Sequence, residues 1–265
     1  MKVKLYLKMF FKASAVMLAV VINVGCTAQK RAVQETSTDS QSKITPGAER
    51  LSEYLPILKG KRVAVFANHT SVVGEIHLID TLVKLGVNVK LIFAPEHGFR
   101  GTADAGENIE ATIDKATNIP IVSLYGRKRK PSDEDLKEVD LLLFDIQDVG
   151  ARFYTYISHM QEYMESALEH NLPLMILDRP NPNGFYVDGP VLEEKFKSFV
   201  GMQPVPIAYG MTMGEYAQMI LQEGWLSKEA NEAYQRVIAS RYREGSTYFH
   251  LDVIPCANYT HKSKY

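Results

Sequence analysis

The chain has 265 residues, of which 46% are hydrophobic, and a formal charge of -1. That suffices for one large domain, alone or with a small companion, and the near-neutral charge lacks the basic excess that nucleic-acid binding usually needs. The two cysteines, Cys26 and Cys256, form neither a disulfide framework nor a metal-ligand spacing.

Lys2, Lys4, Lys8 and Lys12 precede an apolar run over 13–22 that is short for a membrane span. Asn23-Val24-Gly25-Cys26 follows. A small residue directly before a cysteine, at the end of such a run, resembles the lipobox of bacterial lipoproteins, although Asn23 stands where an aliphatic residue is usual. The resemblance implies a signal peptide over 1–25 and a lipid on Cys26. The protein is then expected in the cell envelope, as a periplasmic or outer-membrane lipoprotein touching the membrane through its anchor alone. An ordinary secretory signal is the alternative. Residues 26–47, rich in Ser, Thr and Gln, read as a flexible tether, leaving 48–265 as the folded body.

Within that body strands and helices alternate. Val63-Ala64-Val65-Phe66-Ala67 has the unbroken apolar character of a buried parallel strand. Ile76, Ile79 and Val83 recur at helical spacing, with Gly86 as the stop. Strands are expected over 89–94 and 119–124, then a short acidic helix opened by Ser132 and Asp135. Leu141-Leu142-Leu143-Phe144 is the most apolar strand. Phe153, Ile157, Met160, Met164 and Leu168 predict a helix, and 174–177 a fifth strand. A Gly- and Pro-rich excursion occupies 179–210. Thr212 and Glu215 make a second capping box, and 237–242 reads as a further strand. The expected fold is α/β, a Rossmann-like, mostly parallel sheet with helices on both faces.

Nearly every predicted strand ends in polar residues: Asn68 and His69; Glu96 and His97; Tyr125; Asp145, Gln147 and Asp148; Asp178, Arg179, Asn181 and Asn183. In an open parallel sheet these ends share one edge, where ligands bind. Singly, each is explained as a turn former or helix cap; together they predict a cleft. Glu96, on the turn Pro95-Glu96-His97-Gly98, suits a general acid whose charge state His97 and Arg100 tune. Tyr125, Phe153, Tyr154, Tyr156 and Tyr186 suit sugar rings or a core equally. No G-x-G-x-x-G, Walker A, G-x-S-x-G or H-E-x-x-H motif is present, and no cofactor is expected.

Asn68-His69-Thr70, Phe93-Ala94-Pro95-Glu96-His97-Gly98-Phe99-Arg100-Gly101, Gly106-Glu107, Ser123-Leu124-Tyr125-Gly126, the run 144–156 from Phe144-Asp145 to Thr155-Tyr156, and Asp178-Arg179-Pro180-Asn181-Pro182 resemble the bacterial exo-β-N-acetylmuramidases. The resemblance covers about 50–262. It implies a glycosidase on a Rossmann-like domain that removes terminal N-acetylmuramic acid from the non-reducing end of peptidoglycan fragments, with Glu96 in the cleft. It also implies a smaller second domain, most of which is missing from a chain that stops at Tyr265.

Glycoside hydrolysis needs two carboxylates. Glu96 is the expected acid, with Glu107, Asp145 or Asp148 as its partner. Arg100, Arg152 or Arg179 is expected to take the lactyl carboxylate of the sugar. Asn68, His69 and Tyr125 are expected to hold its hydroxyl or acetamido groups, and His97, Gln147, Asp178 and Asn181 to line the same edge. Two rival readings are metal-assisted hydrolysis through His69, His97, Asp145 and Asp148, and a lipoprotein that binds muropeptides without cutting them.

Overall fold

The computed structural model describes residues 43–96, 98–101, 112–240 and 249–263. Cys26, His97 and Glu107 lie outside them, as do the predicted signal peptide and most of the predicted tether.

Among the described residues a seven-stranded sheet carries the fold. Its strands are β1 (Arg62–Ala67), β4 (Asn88–Ala94), β5 (Thr112–Ile113), β6 (Pro120–Ser123), β7 (Leu141–Asp145), β8 (Leu174–Leu177) and β9 (Leu251–Ile254). The order is β5-β6-β4-β1-β7-β8-β9, and only β5 runs antiparallel to its neighbour. A small hairpin, β2 (Val72–Val73) with β3 (Ile76–His77), projects after β1.

Side-chain alternation divides each central strand between two cores. Ala64, Phe66, Leu142, Phe144, Leu174 and Ile176 face helices α4 (Tyr156–Glu169), α5 (Met213–Gln222) and α6 (Lys228–Ser240). Val63, Val65, Leu141, Leu143, Met175 and Leu177 face α1 (Leu51–Leu58) and α2 (Leu78–Lys84). Both faces are thus covered, which is why these strands read as continuous apolar runs. The remaining helix, α3 (Asp133–Leu136), starts at the Ser132–Asp135 capping box expected from the sequence. The Thr212–Glu215 box likewise starts α5.

Four local expectations are corrected. Residues 237–240 are helical, because Ala230, Ala233 and Val237 form one buried stripe at helical spacing on α6. The last strand is β9 instead. Helix α4 begins at Tyr156, so Phe153 lies outside it and is exposed. Ile76 belongs to the hairpin, and α2 starts at Leu78 with the His77 ring accepting from the Ile79 amide. Finally, packing begins before Ala48: Thr45 pairs with Ala257, and the Gly47 amide donates to the Asp178 carbonyl at 2.8 Å. A Cβ on Gly47 would meet the Ile254 carbonyl oxygen at 2.2 Å, so only glycine admits this approach.

Candidate active site

From β1 the chain builds outward through β4 to β6, then restarts on the other side of β1 with β7. The topological switch point therefore lies between β1 and β7, and the crevice beyond their carboxyl ends is where such sheets bind ligands. Asn68 follows β1 there and Asp148 lies just past β7.

Among the described residues, both carry a buried atom without a complete hydrogen bond. The Asn68 side-chain oxygen accepts from the Thr70 amide and hydroxyl, at 2.9 and 2.6 Å, but Nδ2 makes no complete hydrogen bond. Asp148 Oδ2 accepts from the Gly150 amide at 2.8 Å and from the Tyr209 hydroxyl, while Oδ1 is unpaired. Buried polar atoms are ordinarily satisfied, so these two leave hydrogen-bonding capacity open at the switch point. Burial pushes the Asp148 carboxyl above its usual range, against the pull of Tyr209 and Gly150.

Tyr156 stands beside both. Its phenol is pushed up by burial and by the negative charge of Asp148, is eased by the Asn68 amide, and also feels Glu96. Glu96 follows β4 on a half-buried turn. The Tyr125 hydroxyl faces it from the end of β6, and hydrogen bonding to the carboxylate raises the phenol's pKa. Exposed His69 lies against the same loop: a Cβ on Gly101, whose φ is +71°, would sit 3.0 Å from it. Tyr125, Glu96, Asn68, Tyr156 and Asp148 are thus electrostatically linked as one group across the ends of β6, β4, β1 and β7.

Other expected site residues face inward. Asp145 is fully buried and holds Arg179 through two contacts, Nε at 2.6 Å and Nη2 at 2.9 Å. Burial raises the Asp145 pKa and Arg179 opposes it. Arg179 also donates to the Val72 carbonyl at 3.0 Å. Each is thus bonded to the other in the interior rather than held open for a ligand. Arg100 is equally committed: its guanidinium clamps Asp80 and Asp114 at 2.8–3.1 Å, holding Asp114 down to about 2. It ties the loop after Glu96 to α2 rather than waiting for a ligand. Arg152 donates to the Pro190 and Val205 carbonyls and pins the excursion 179–210.

Asp178 accepts from the Arg179 and Gly214 amides at 3.1 and 3.0 Å, at the start of α5, and burial pushes it up to about 6. Asn181 bonds the Met211 carbonyl and the Asn183 amide, each at 2.7 Å. Gln147 donates to the Asp148 and Pro180 carbonyls, both at 2.7 Å. These three shape the edge from behind. Sequence reasoning placed Tyr156 near the edge but gave it no role, and it missed Tyr209, which sits at the end of the irregular excursion far from any strand. Among the described residues no three His, Cys, Asp or Glu side chains gather as a metal site.

The model of the family described as exo-beta-N-acetylmuramidase NamZ, N-terminal, matches residues 63–265. The peptidoglycan beta-N-acetylmuramidase NamZ of Bacillus subtilis strain 168 is 44% identical over 193 residues, 71% of this chain and 47% of that protein. Two crystal structures of DUF1343 family proteins from Bacteroides fragilis NCTC 9343 superpose with TM-scores of 0.70 and 0.69, at 46% and 37% identity. They cover 84% and 83% of this chain, and 55% and 52% of their own. The chain spans about half the length of the relatives it matches. It belongs to the NamZ exo-beta-N-acetylmuramidase family, whose N-terminal domain it carries.

Proposed function

We propose that this chain acts as an exo-β-N-acetylmuramidase, releasing terminal N-acetylmuramic acid from the non-reducing end of peptidoglycan fragments. The observation that carries this is the Tyr156 phenol, which feels the negative charge of both Asp148 and Glu96, beside an Asp148 Oδ1 that has no partner at the switch point. The name of the Bacillus subtilis relative supports the same reaction.

Glu96 is the general acid. Its half-exposed turn lets it regain a proton from solvent between turnovers, and Tyr125 fixes its position. Asp148 is the second carboxylate. Its Tyr209 and Gly150 donors favour the ionised form, which stabilises the positive charge developing on the sugar. Asn68 Nδ2, which lies towards Tyr156 without a complete hydrogen bond, is placed to donate to an acetamido or hydroxyl oxygen. Asp145 is committed to Arg179, so the carboxylate pairing favours glycoside over metal-assisted hydrolysis.

The test is release of N-acetylmuramic acid from a MurNAc-GlcNAc disaccharide by the protein and by its Glu96→Gln and Asp148→Asn variants. Turnover lost in both folded variants is expected. Undiminished release by Glu96→Gln would remove it from the mechanism. Calorimetric binding without release by the unaltered protein would favour a muropeptide-binding role.

The same proposal extends to location: export, followed by lipidation at Cys26, anchors the protein in the cell envelope. Among the described residues no helix is long and apolar enough to cross a membrane, and support for the anchor comes from the sequence 23–26 alone. Fatty-acid labelling of the expressed protein should be lost in Cys26→Ser; label retained in that variant would refute the anchor.

A further inference from the structure

The sugar proposed above carries a carboxylate on its lactyl arm, and the three arginines expected to receive it are committed elsewhere. Arg179 and Arg100 are ion-paired, and Arg152 is bonded to carbonyls. Arg129 differs. It follows β6 on the loop that carries Tyr125, is exposed, and forms no ion pair among the described residues. Its guanidinium carbon lies 4.5 Å above the centre of the Phe199 ring. Phe199 in turn stands edge-on to His159, 4.9 Å between centroids, and His159 packs against Phe66 at 5.6 Å. Arg129 is therefore the outer layer of a stack rooted in the core.

An arginine stacked on a ring keeps its edge N–H groups free. Part of its rotamer entropy is already spent, so a planar carboxylate can be met by two parallel hydrogen bonds. The position is suitable as well. The positive charge reaches the Tyr125 phenol, which is bonded to Glu96. It also reaches His159, a neutral imidazole with neither nitrogen hydrogen-bonded, pushed down to about 3 by burial and by Arg129. Glu162 is near enough to feel the same charge but forms no ion pair with it.

We propose that Arg129, held on Phe199, is the receptor for the substrate's carboxylate and sets the preference for carboxylated over plain N-acetylated amino sugars. The inference rests on the glycosidase reading and adds to it a specificity residue outside the group of Tyr125, Glu96, Asn68, Tyr156 and Asp148. Phe199 is a positioning residue that acts through Arg129.

The experiment compares chromogenic β-glycosides of N-acetylmuramic acid and N-acetylglucosamine on the protein, Arg129→Ala, Arg129→Lys and Phe199→Leu. Arg129→Ala should raise KM for the carboxylated glycoside by about tenfold or more and should lower kcat/KM for the plain one far less. Lysine should restore part of the loss, and Phe199→Leu should show a smaller loss of the same selectivity. An equal fall on both glycosides, or no change on either, would overturn the assignment. If the unaltered protein cleaves neither glycoside, the glycosidase reading fails separately. Calorimetry with free N-acetylmuramic acid and N-acetylglucosamine then decides: weakening of the acidic sugar alone in Arg129→Ala supports the receptor, and identical affinities refute it.

Discussion

Asp145 and Arg179 meet in the interior, Oδ1 to Nε at 2.6 Å and Oδ2 to Nη2 at 2.9 Å, on the neighbouring strand ends of β7 and β8. A buried ion pair adds little over well-packed apolar groups, but breaking one strands a charge. Asp145→Asn is therefore expected to destabilise the protein by about 3–5 kcal/mol in urea unfolding, with Asp145→Leu/Arg179→Met recovering part of the loss. An Asp145→Asn protein of full stability but no turnover would return Asp145 to the catalytic list.

The Tyr209 hydroxyl donates to Asp148 and favours its charged form. Tyr209→Phe removes that donor, so the Asp148 pKa should rise further. If ionised Asp148 is required, the acidic limb of the pH–rate profile moves to higher pH while the alkaline limb stays. An unmoved acidic limb would separate Asp148 from the rate.

Asp178 titrates at about 6 in the folded protein because it is buried, against about 3.9 for a free side chain. The folded state thus binds its proton more tightly. Stability contributed by this group is present below about pH 4 and declines as pH rises towards 6. Asp178→Asn retains an oxygen for the Gly214 and Arg179 amides. Its Tm relative to the unaltered protein should therefore improve by about 2–5 °C between pH 4.5 and 7.5. A constant difference would refute the shifted titration.

Arg100→Ala frees the loop after Glu96 from Asp80 and Asp114. The expected result is a lower kcat on carboxylated and plain glycosides alike, because the acid is less well held. A selective loss on the carboxylated one would make Arg100 a ligand residue.

Gly150 has φ of +74°, and a Cβ there would fall 2.0 Å from Asn181 Oδ1. Gly150→Ala should destabilise by more than about 1 kcal/mol, read as a drop in Tm. Gly150→Ala/Asn181→Gly should remove the clash but keep the backbone cost, so its Tm should lie between.

The central strands were legible because burial on both faces leaves the run from Val63 to Ala67 of β1 and Leu141 to Phe144 of β7 without a polar residue. Edge strand β9 was not: Asp252 interrupts it, forming a pair with His250 at 3.2 Å outside the core. Val237 and Ile238 look like strand residues locally, and only contact with α4 decides for helix. At the site, the strand-end rule named residues that share one edge of the sheet but could not tell inward-facing from outward-facing ones. What turns Arg100 and Arg179 away from a substrate are carboxylates 14, 20 and 34 positions distant, a three-dimensional fact. Tyr209 was invisible for the same reason, since no local pattern ties it to Asp148.

Strand β8 bonds β7 on one side and β9 on the other, yet the whole excursion, α5 and α6 intervene before β9 is reached in the chain. A growing or partly folded chain therefore carries an open Leu174–Leu177 backbone edge, apolar throughout, until Leu251–Ile254 arrives. Such an edge invites pairing with another chain. Handling by a chaperone that shields extended apolar segments would matter most for intermediates lacking this last strand, and aggregation during synthesis should begin there.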